Sequence, residues 1–385
     1  MMANGSITRN PLALFAGLAI AAAAGAATSY GFGIRQPIFD DIGFQEARFA
    51  LIIPSQVCIA VGALAAGFFA STRPIRGLAV LAISIAGGLI FMSDAVLYND
   101  AGTPTRIALA CAFSGVGSSL IVLAGLALVQ ALDSGRALAV SLALALVSGV
   151  PVGMRLFGLN ESGSGLYYTA LGACAAIALL GAPASVPLAQ NRLAFAPVGP
   201  VPISVRAAPS QTLPLALMIA ALSVAGWATF LAPQIQSGFG ETTDLYSMAL
   251  LVALGLAASF LGEAAGARLA ILLIAGALAW MFTGGPAWPG PLGGNLSFSL
   301  ADFIAIALAS RYGQPREAAM RTGALMALGT VIYIPLNLIA INFENQYGVF
   351  NDVSVWQLGL AIAASALVLL LLLRLPQART TAAAW

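Results

Sequence analysis

The chain has 385 residues, 60% of them hydrophobic and 8% charged, with a formal net charge of +2. A soluble globular chain carries about 25% charged residues, so soluble fold classes are excluded and the sequence reads as an integral membrane protein. It contains no histidine and no lysine, all 16 basic residues being arginine, which removes Schiff-base chemistry, histidine proton relays and the usual ligands of haem and most transition metals.

The apolar runs are long and unbroken. A transmembrane β-barrel would show short alternating segments instead, so the spans are helices. Met1–Arg9 is a short polar leader with no clear cleavage site behind it, and the first run reads as a permanent span. Twelve runs lie at roughly 12–35, 49–70, 77–97, 106–130, 137–157, 166–187, 212–235, 246–262, 268–283, 295–310, 318–341 and 353–373. The longest break, about 188–211, is rich in proline and divides six spans from six. The expected fold is an all-α membrane protein of 12 transmembrane helices in two pseudo-symmetric halves. Its expected parts are an N-terminal six-helix bundle at 1–190, a central cytoplasmic loop at 191–211 and a C-terminal six-helix bundle at 212–385.

The first run ends in Ser29–Gly43, SYGFGIRQPIFDDIG. Arg35 follows more than 20 uncharged residues, enough to cross a bilayer. It therefore sits near the far end of a span, where a charge is costly unless it meets water or a partner. A related phrase, Phe230–Gly240, closes the seventh run, with Pro37 and Pro233 lying 196 residues apart. Both helices are expected to break into polar residues at their outer ends. Gly67 likewise pairs with Gly262 at an offset of 195, and Pro151 with Pro335 at 184. Internal repeats with a site at their interface are a common construction of secondary transporters.

With the N-terminus inside, 12 of the 16 arginines fall in cytoplasmic segments, while the outer breaks are acidic. The positive-inside rule then places both termini in the cytoplasm, in an inner (cytoplasmic) membrane. The cysteines Cys58, Cys111 and Cys174 fall in separate runs without metal-ligand spacing and read as small core residues. No P-loop pattern exists without lysine, which excludes an ATP-driven pump for this chain alone.

Twelve spans, a central loop and a six-plus-six repeat resemble the major facilitator superfamily over essentially the whole chain. The family's loop between spans 2 and 3 reads G-x-x-x-D-R-x-G-R-R. Here Gly67–Arg76 keeps the glycine and the last arginine, with Ser71 at the aspartate position. Gly115 and Gly117 match a G-x-G pair of span 4, with Cys111 where the family has arginine. Gly149-Val-Pro151-Val-Gly153 echoes the span-5 motif of exchangers. Gly33-Ile-Arg35-Gln-Pro37 is similar to the end of span 1 in some bacterial relatives of monocarboxylate carriers.

Arg35 is the leading candidate for a substrate contact, because a guanidinium fork matches a carboxylate or phosphate. Pairing with Asp40 or Asp41, or snorkelling to headgroups, is its plainer role. Asp302, with apolar sequence on both sides, must face a cavity or a partner. It could accept a proton for coupled transport, or cap a half-helix behind a Gly284–Gly294 break. Asp94, at the outer end of span 3, is a second coupling candidate, though structural work fits it as well. Gln56 in span 2 and Asn337 in span 11 suit interhelical hydrogen bonds, and those two spans often line the path in this fold. Gln234, at the outer end of span 7, mirrors Gln36. Trp227, deeper on the same span, could shape a pocket, with core packing as the alternative. These five residues, Arg35, Gln56, Trp227, Gln234 and Asn337, are the predicted substrate contacts.

The leading reading is a secondary transporter of a small molecule, an organic anion by the argument from Arg35. A proton-linked exporter of hydrophobic compounds is the alternative. A non-transporting assembly factor or scaffold with the same fold is the rival class. No catalytic or metal site and no cofactor is expected. The partners are a small-molecule substrate, protons and the lipid bilayer, with no nucleic acid, and the sequence carries no sign of oligomeric state. The discriminator is whether Arg35, Asp302, Gln56 and Asn337 converge on one cavity.

Overall fold

The computed structural model describes residues 11–73, 75–98, 102–131, 140–147, 149–150, 212–230, 249–250, 252–254, 268–276, 289–309, 315–339 and 355–374. Among these residues the chain is helical and contains no strand. The principal helices are α1 (Pro11–Ile42), α2 (Phe44–Ala47), α3 (Ile53–Thr72), α4 (Ile75–Tyr98), α5 (Thr103–Ala131), α6 (Thr212–Phe230), α7 (Pro289–Phe303), α8 (Pro315–Val331) and α9 (Val355–Arg374). Five described helices are long and apolar enough to cross a membrane. The protein is a multi-pass membrane protein.

Two expectations are corrected. α1 does not break at Gln36–Pro37 but continues to Ile42 with Pro37 inside it. It ends at Gly43, whose φ of 77° is the left-handed conformation that glycine adopts without cost. Arg35 is thus a helix-interior residue. Likewise α7 begins at Pro289 and runs through Gly290, Gly293 and Gly294, so Asp302 lies in its last turn and caps no helix start. Pro233, Gly262 and Pro151, on which the internal repeat depends, lie outside the described residues.

Packing follows two groups. α1, α4 and α3 pack on α5, while α7, α8 and α9 pack on α6. The described contact between the groups is dominated by α3 lying along α8. Apolar side chains at Val57, Val61, Leu64 and Phe68 are exposed on one face of α3, whereas Ala60, Ala63, Ala66 and Ala70 are buried on the other. In a bilayer the exposed stripe meets lipid, and the small residues let neighbouring backbones approach closely.

Two backbone approaches of α3 leave no room for a side chain. A Cβ on Gly62 would run into the Gly115 carbonyl of α5, and one on Gly67 would stand 2.7 Å from the Ala319 carbonyl oxygen and 2.9 Å from Gly323 Cα on α8. Among the described residues, π-helical turns at Arg48–Ile52 and Ile304–Leu308 widen the chain before α3 and after α7. Such turns are rare and concentrate at functional sites. α8 is interrupted at Ile332, and helix resumes at 333–339. Pro335 supplies the cause: it has no N–H for the Val331 carbonyl and its ring crowds that carbonyl.

Overpacking a close contact costs about 1–3 kcal/mol. Gly67→Ala should therefore lower the melting temperature of the purified protein clearly. Gly88→Ala, at a position with nothing within 4 Å, should leave it unchanged or raise it. A thermal melt in detergent compares the two.

Candidate functional site

A cavity of about 250 Å³ opens between the two helix groups. From the first group it is walled by Thr28, Gly31 and Arg35 of α1, Ile59 of α3, and residues of α5 from Phe113 to Ile121. From the second it is walled by Ile219 and Ser223 of α6, Phe298 and Asp302 of α7, and residues 326–333 at the end of α8 and beyond. Arg35 and Asp302 are the charged residues of this wall among the described residues. They come from opposite groups.

The Arg35 end is built by α1 against α5. Gly31 has no side chain, so Phe113 packs directly over it: a Cβ there would stand 3.0 Å from Phe113 Cβ. Tyr30 and Phe113 stack with centroids 5.2 Å apart. That contact brings the next residue, Ser114, to Arg35, and Arg35 Nη2 donates a 2.6 Å hydrogen bond to Ser114 Oγ. Ser114 Oγ in turn donates to the Ala110 carbonyl at 2.8 Å, so its hydrogen is directed to its own helix and its lone pair faces the guanidinium. Asp41 is engaged elsewhere, by Arg106 at 3.1 Å and Thr103 at 3.3 Å. On insertion scales an arginine at a span centre costs about 2.5–3.5 kcal/mol. A polar cavity wall and a charge-assisted bond offset part of that cost.

The Asp302 end is built by α7 against α6 and the broken end of α8. Gly226 leaves space for the Phe298 ring, which would stand 3.0 Å from a Cβ at that position. Phe298 stacks on Tyr333 with centroids 5.2 Å apart. Tyr333 lies beside Ser223 and within electrostatic reach of Asp302. Thr330 Oγ1 donates to the Met326 carbonyl at 3.2 Å, repeating the arrangement of Ser114.

Gln56 and Asn337 do not join the described wall of this cavity. They bond to each other instead, Asn337 Nδ2 donating to Gln56 Oε1 at 3.3 Å across 281 residues of sequence. The bond links α3 to the 333–339 helix, on the same seam as Gly67 and Gly323. Trp227 is 4% exposed and packs in the core, with its indole Nε1 buried and without a hydrogen-bond partner among the described residues. Asp94 belongs to α4, which gives no described residue to the cavity. Gln234 and Cys174 lie outside the described residues. Cys111 is buried and Cys58 half-buried, with Ser55 Oγ 3.6 Å from the Cys111 thiol.

The residues missed from sequence are Ser114, Tyr333 and Thr330. Ser114 directly precedes the Gly115–Gly117 pair, and Tyr333 is the tyrosine of the apolar run 318–341. Those positions were the available signals.

No protein-family model matches the sequence, and no curated protein matches it. Solved structures do share its fold. The human organic anion transporter MFSD10 (TETRAN) is 16% identical with a TM-score of 0.58, over 92% of this chain and 98% of that one. The Major Facilitator Superfamily transporter FucP, in the outward conformation, is 12% identical with a TM-score of 0.58, over 94% and 97%. A bacterial homologue of the iron transporter ferroportin, in an outward-facing state, is 14% identical with a TM-score of 0.54, over 94% and 98%. The chain has the fold of the major facilitator superfamily transporters.

The Gln56–Asn337 bond carries its own prediction. Interhelical polar pairs in membranes average about 0.6 kcal/mol in double-mutant cycles. A cycle of Gln56→Leu and Asn337→Leu, read by unfolding in mixed micelles, should return a coupling of about that size.

Proposed function

We propose that the protein is a secondary transporter that moves a small organic anion by alternating access, its two helix groups rocking about the central cavity. One observation carries this reading: Arg35 and Asp302, from opposite groups, line the same cavity. A guanidinium in a membrane-embedded cavity is a strong partner for a carboxylate. Asp302 is the coupling carboxyl on the facing group, placed to take a proton when an anion enters. MFSD10, which shares the fold, is an organic anion transporter, and that agrees with the role given to Arg35. In this reading Gln56 and Asn337 hold the seam between the groups and act on the substrate through it. Trp227 supports the cavity from behind. The chain crosses the inner membrane twelve times with both termini in the cytoplasm.

The apolar wall, with Ile59, Ile121, Ile219 and Met326, favours a second reading, export of a hydrophobic compound. Of the four residues whose convergence separates a transporter from a scaffold, Arg35 and Asp302 line the cavity while Gln56 and Asn337 pair with each other, so support for transport over the scaffold reading comes from the two charges.

Flux in proteoliposomes separates these readings. Hydrogen bonds to a charged group are worth about 1.5–3 kcal/mol each. Arg35→Gln should therefore reduce uptake of small carboxylates by roughly ten- to a hundredfold while the protein keeps its melting temperature. Asp302→Asn should remove the acceleration of flux by a pH gradient and spare exchange of labelled for unlabelled substrate. Movement of lipophilic cations alone, indifferent to Arg35→Gln, would replace the anion reading with the exporter.

A further inference from the structure

The two charges of the cavity do not meet. No ion pair reaches Asp302 among the described residues, and the apolar residues Phe113, Ile219, Phe298 and Met326 line the same space. A guanidinium and a carboxyl that line one cavity without pairing to each other are complementary to a molecule that carries both opposite charges. Net charge argues the same way. An occupant with a carboxylate alone would leave a second negative group, Asp302, in the same low-dielectric space unless a proton came with it. A zwitterion brings a cation to Asp302 and a carboxylate to Arg35 at once.

The hydroxyls favour this orientation. An ammonium has three N–H donors and no acceptor, so it needs lone pairs around it. Thr330 directs its hydrogen to the Met326 carbonyl and has lone pairs left to accept. Tyr333, close to Asp302, has a hydroxyl oxygen that can accept as well. At the other end Ser114 accepts from Arg35 and orients the guanidinium without competing for a carboxylate.

We infer that this site takes a zwitterionic amino carboxylate with an apolar body, its carboxylate on Arg35 and its ammonium on Asp302. The inference rests on the anion-site reading of Arg35 and deepens it. Proton and ammonium then become alternative occupants of the Asp302 carboxylate, so loading a zwitterion displaces the proton.

The test is binding to the purified full chain, by calorimetry and thermal shift, of matched pairs that differ in the amino group. Suitable pairs are leucine with 4-methylpentanoate, 6-aminohexanoate with hexanoate, and 4-(aminomethyl)benzoate with 4-methylbenzoate. At least one amino member should bind tenfold or more tighter than its partner. Asp302→Asn should collapse that ratio towards one, Asp302→Glu should keep part of it, and Arg35→Gln should weaken both members. Hexylamine, which lacks the carboxylate, should bind more weakly than 6-aminohexanoate, an arm that stands even where a variant fails to fold. If each deaminated partner binds as well as its amino counterpart and binding still needs Arg35, the zwitterion inference is wrong and the anion site survives. If the ratio exists but Asp302→Asn leaves it intact, the assignment of the ammonium to Asp302 is wrong. Binding of no carboxylate in either series overturns both readings together.

Discussion

Helix α3 lies at backbone distance from a helix of each group, and the remaining arrangement depends on that. On one side Gly62 meets the Gly115 carbonyl of α5, and on the other Gly67 meets Ala319 and Gly323 of α8. In lipid, apolar side chains gain little by leaving one apolar surface for another, so association depends on close van der Waals contact. Small residues are what make such contact possible. With α3 fixed against α5, the Tyr30–Phe113 stack and the Arg35–Ser114 bond assemble on the neighbouring face of α5. With α3 fixed against α8, the broken end of α8 carries Tyr333 and Thr330 to the cavity, and Asn337 to Gln56. The same helix therefore sets both ends of the site.

The cavity wall mixes apolar side chains with hydroxyls and carries the charges Arg35 and Asp302 among its described residues. Its charges are half-buried, at a cost that neither packing nor hydrophobic contact returns. A fold held only by helix packing has no need of them. Arg35 donates to a serine whose hydrogen points away, and Asp302 has Tyr333, stacked on Phe298, within electrostatic reach.

Much of this was legible from sequence, for a physical reason. A charge inside an apolar run is conspicuous, and Arg35 and Asp302 stand out in any hydropathy reading. Helix boundaries were legible at spans 2, 3 and 4, where α3, α4 and α5 match the apolar runs closely. Hydroxyl residues were not, because serine, threonine and tyrosine are unremarkable in membrane helices and only three-dimensional proximity distinguishes Ser114 or Thr330 from the rest. The glycines and prolines of 289–294 and Pro37 were read as breaks, as they would be in water. A helix packed among other helices in lipid tolerates them because no solvent competes for the backbone. Gln56 and Asn337 were visible as polar, but their mutual bond across 281 residues is a property of the tertiary structure. Trp227 shows the converse: a large aromatic near the site that simply fills the core.

The hydroxyl geometry has a consequence for the electric field inside the cavity. Thr28, Ser114 and Thr330 each send their hydrogen to a carbonyl of their own helix, at 2.8, 2.8 and 3.2 Å. Their dipoles are therefore clamped to the helix frame rather than free to rotate. A medium whose dipoles cannot turn does not rearrange when a charge arrives, so the solvation it offers is already in place. Water in the same volume would reorient around each new ion and lose part of the interaction energy in doing so. The inner wall of this protein behaves instead as a fixed solvent, with its polarity set at folding.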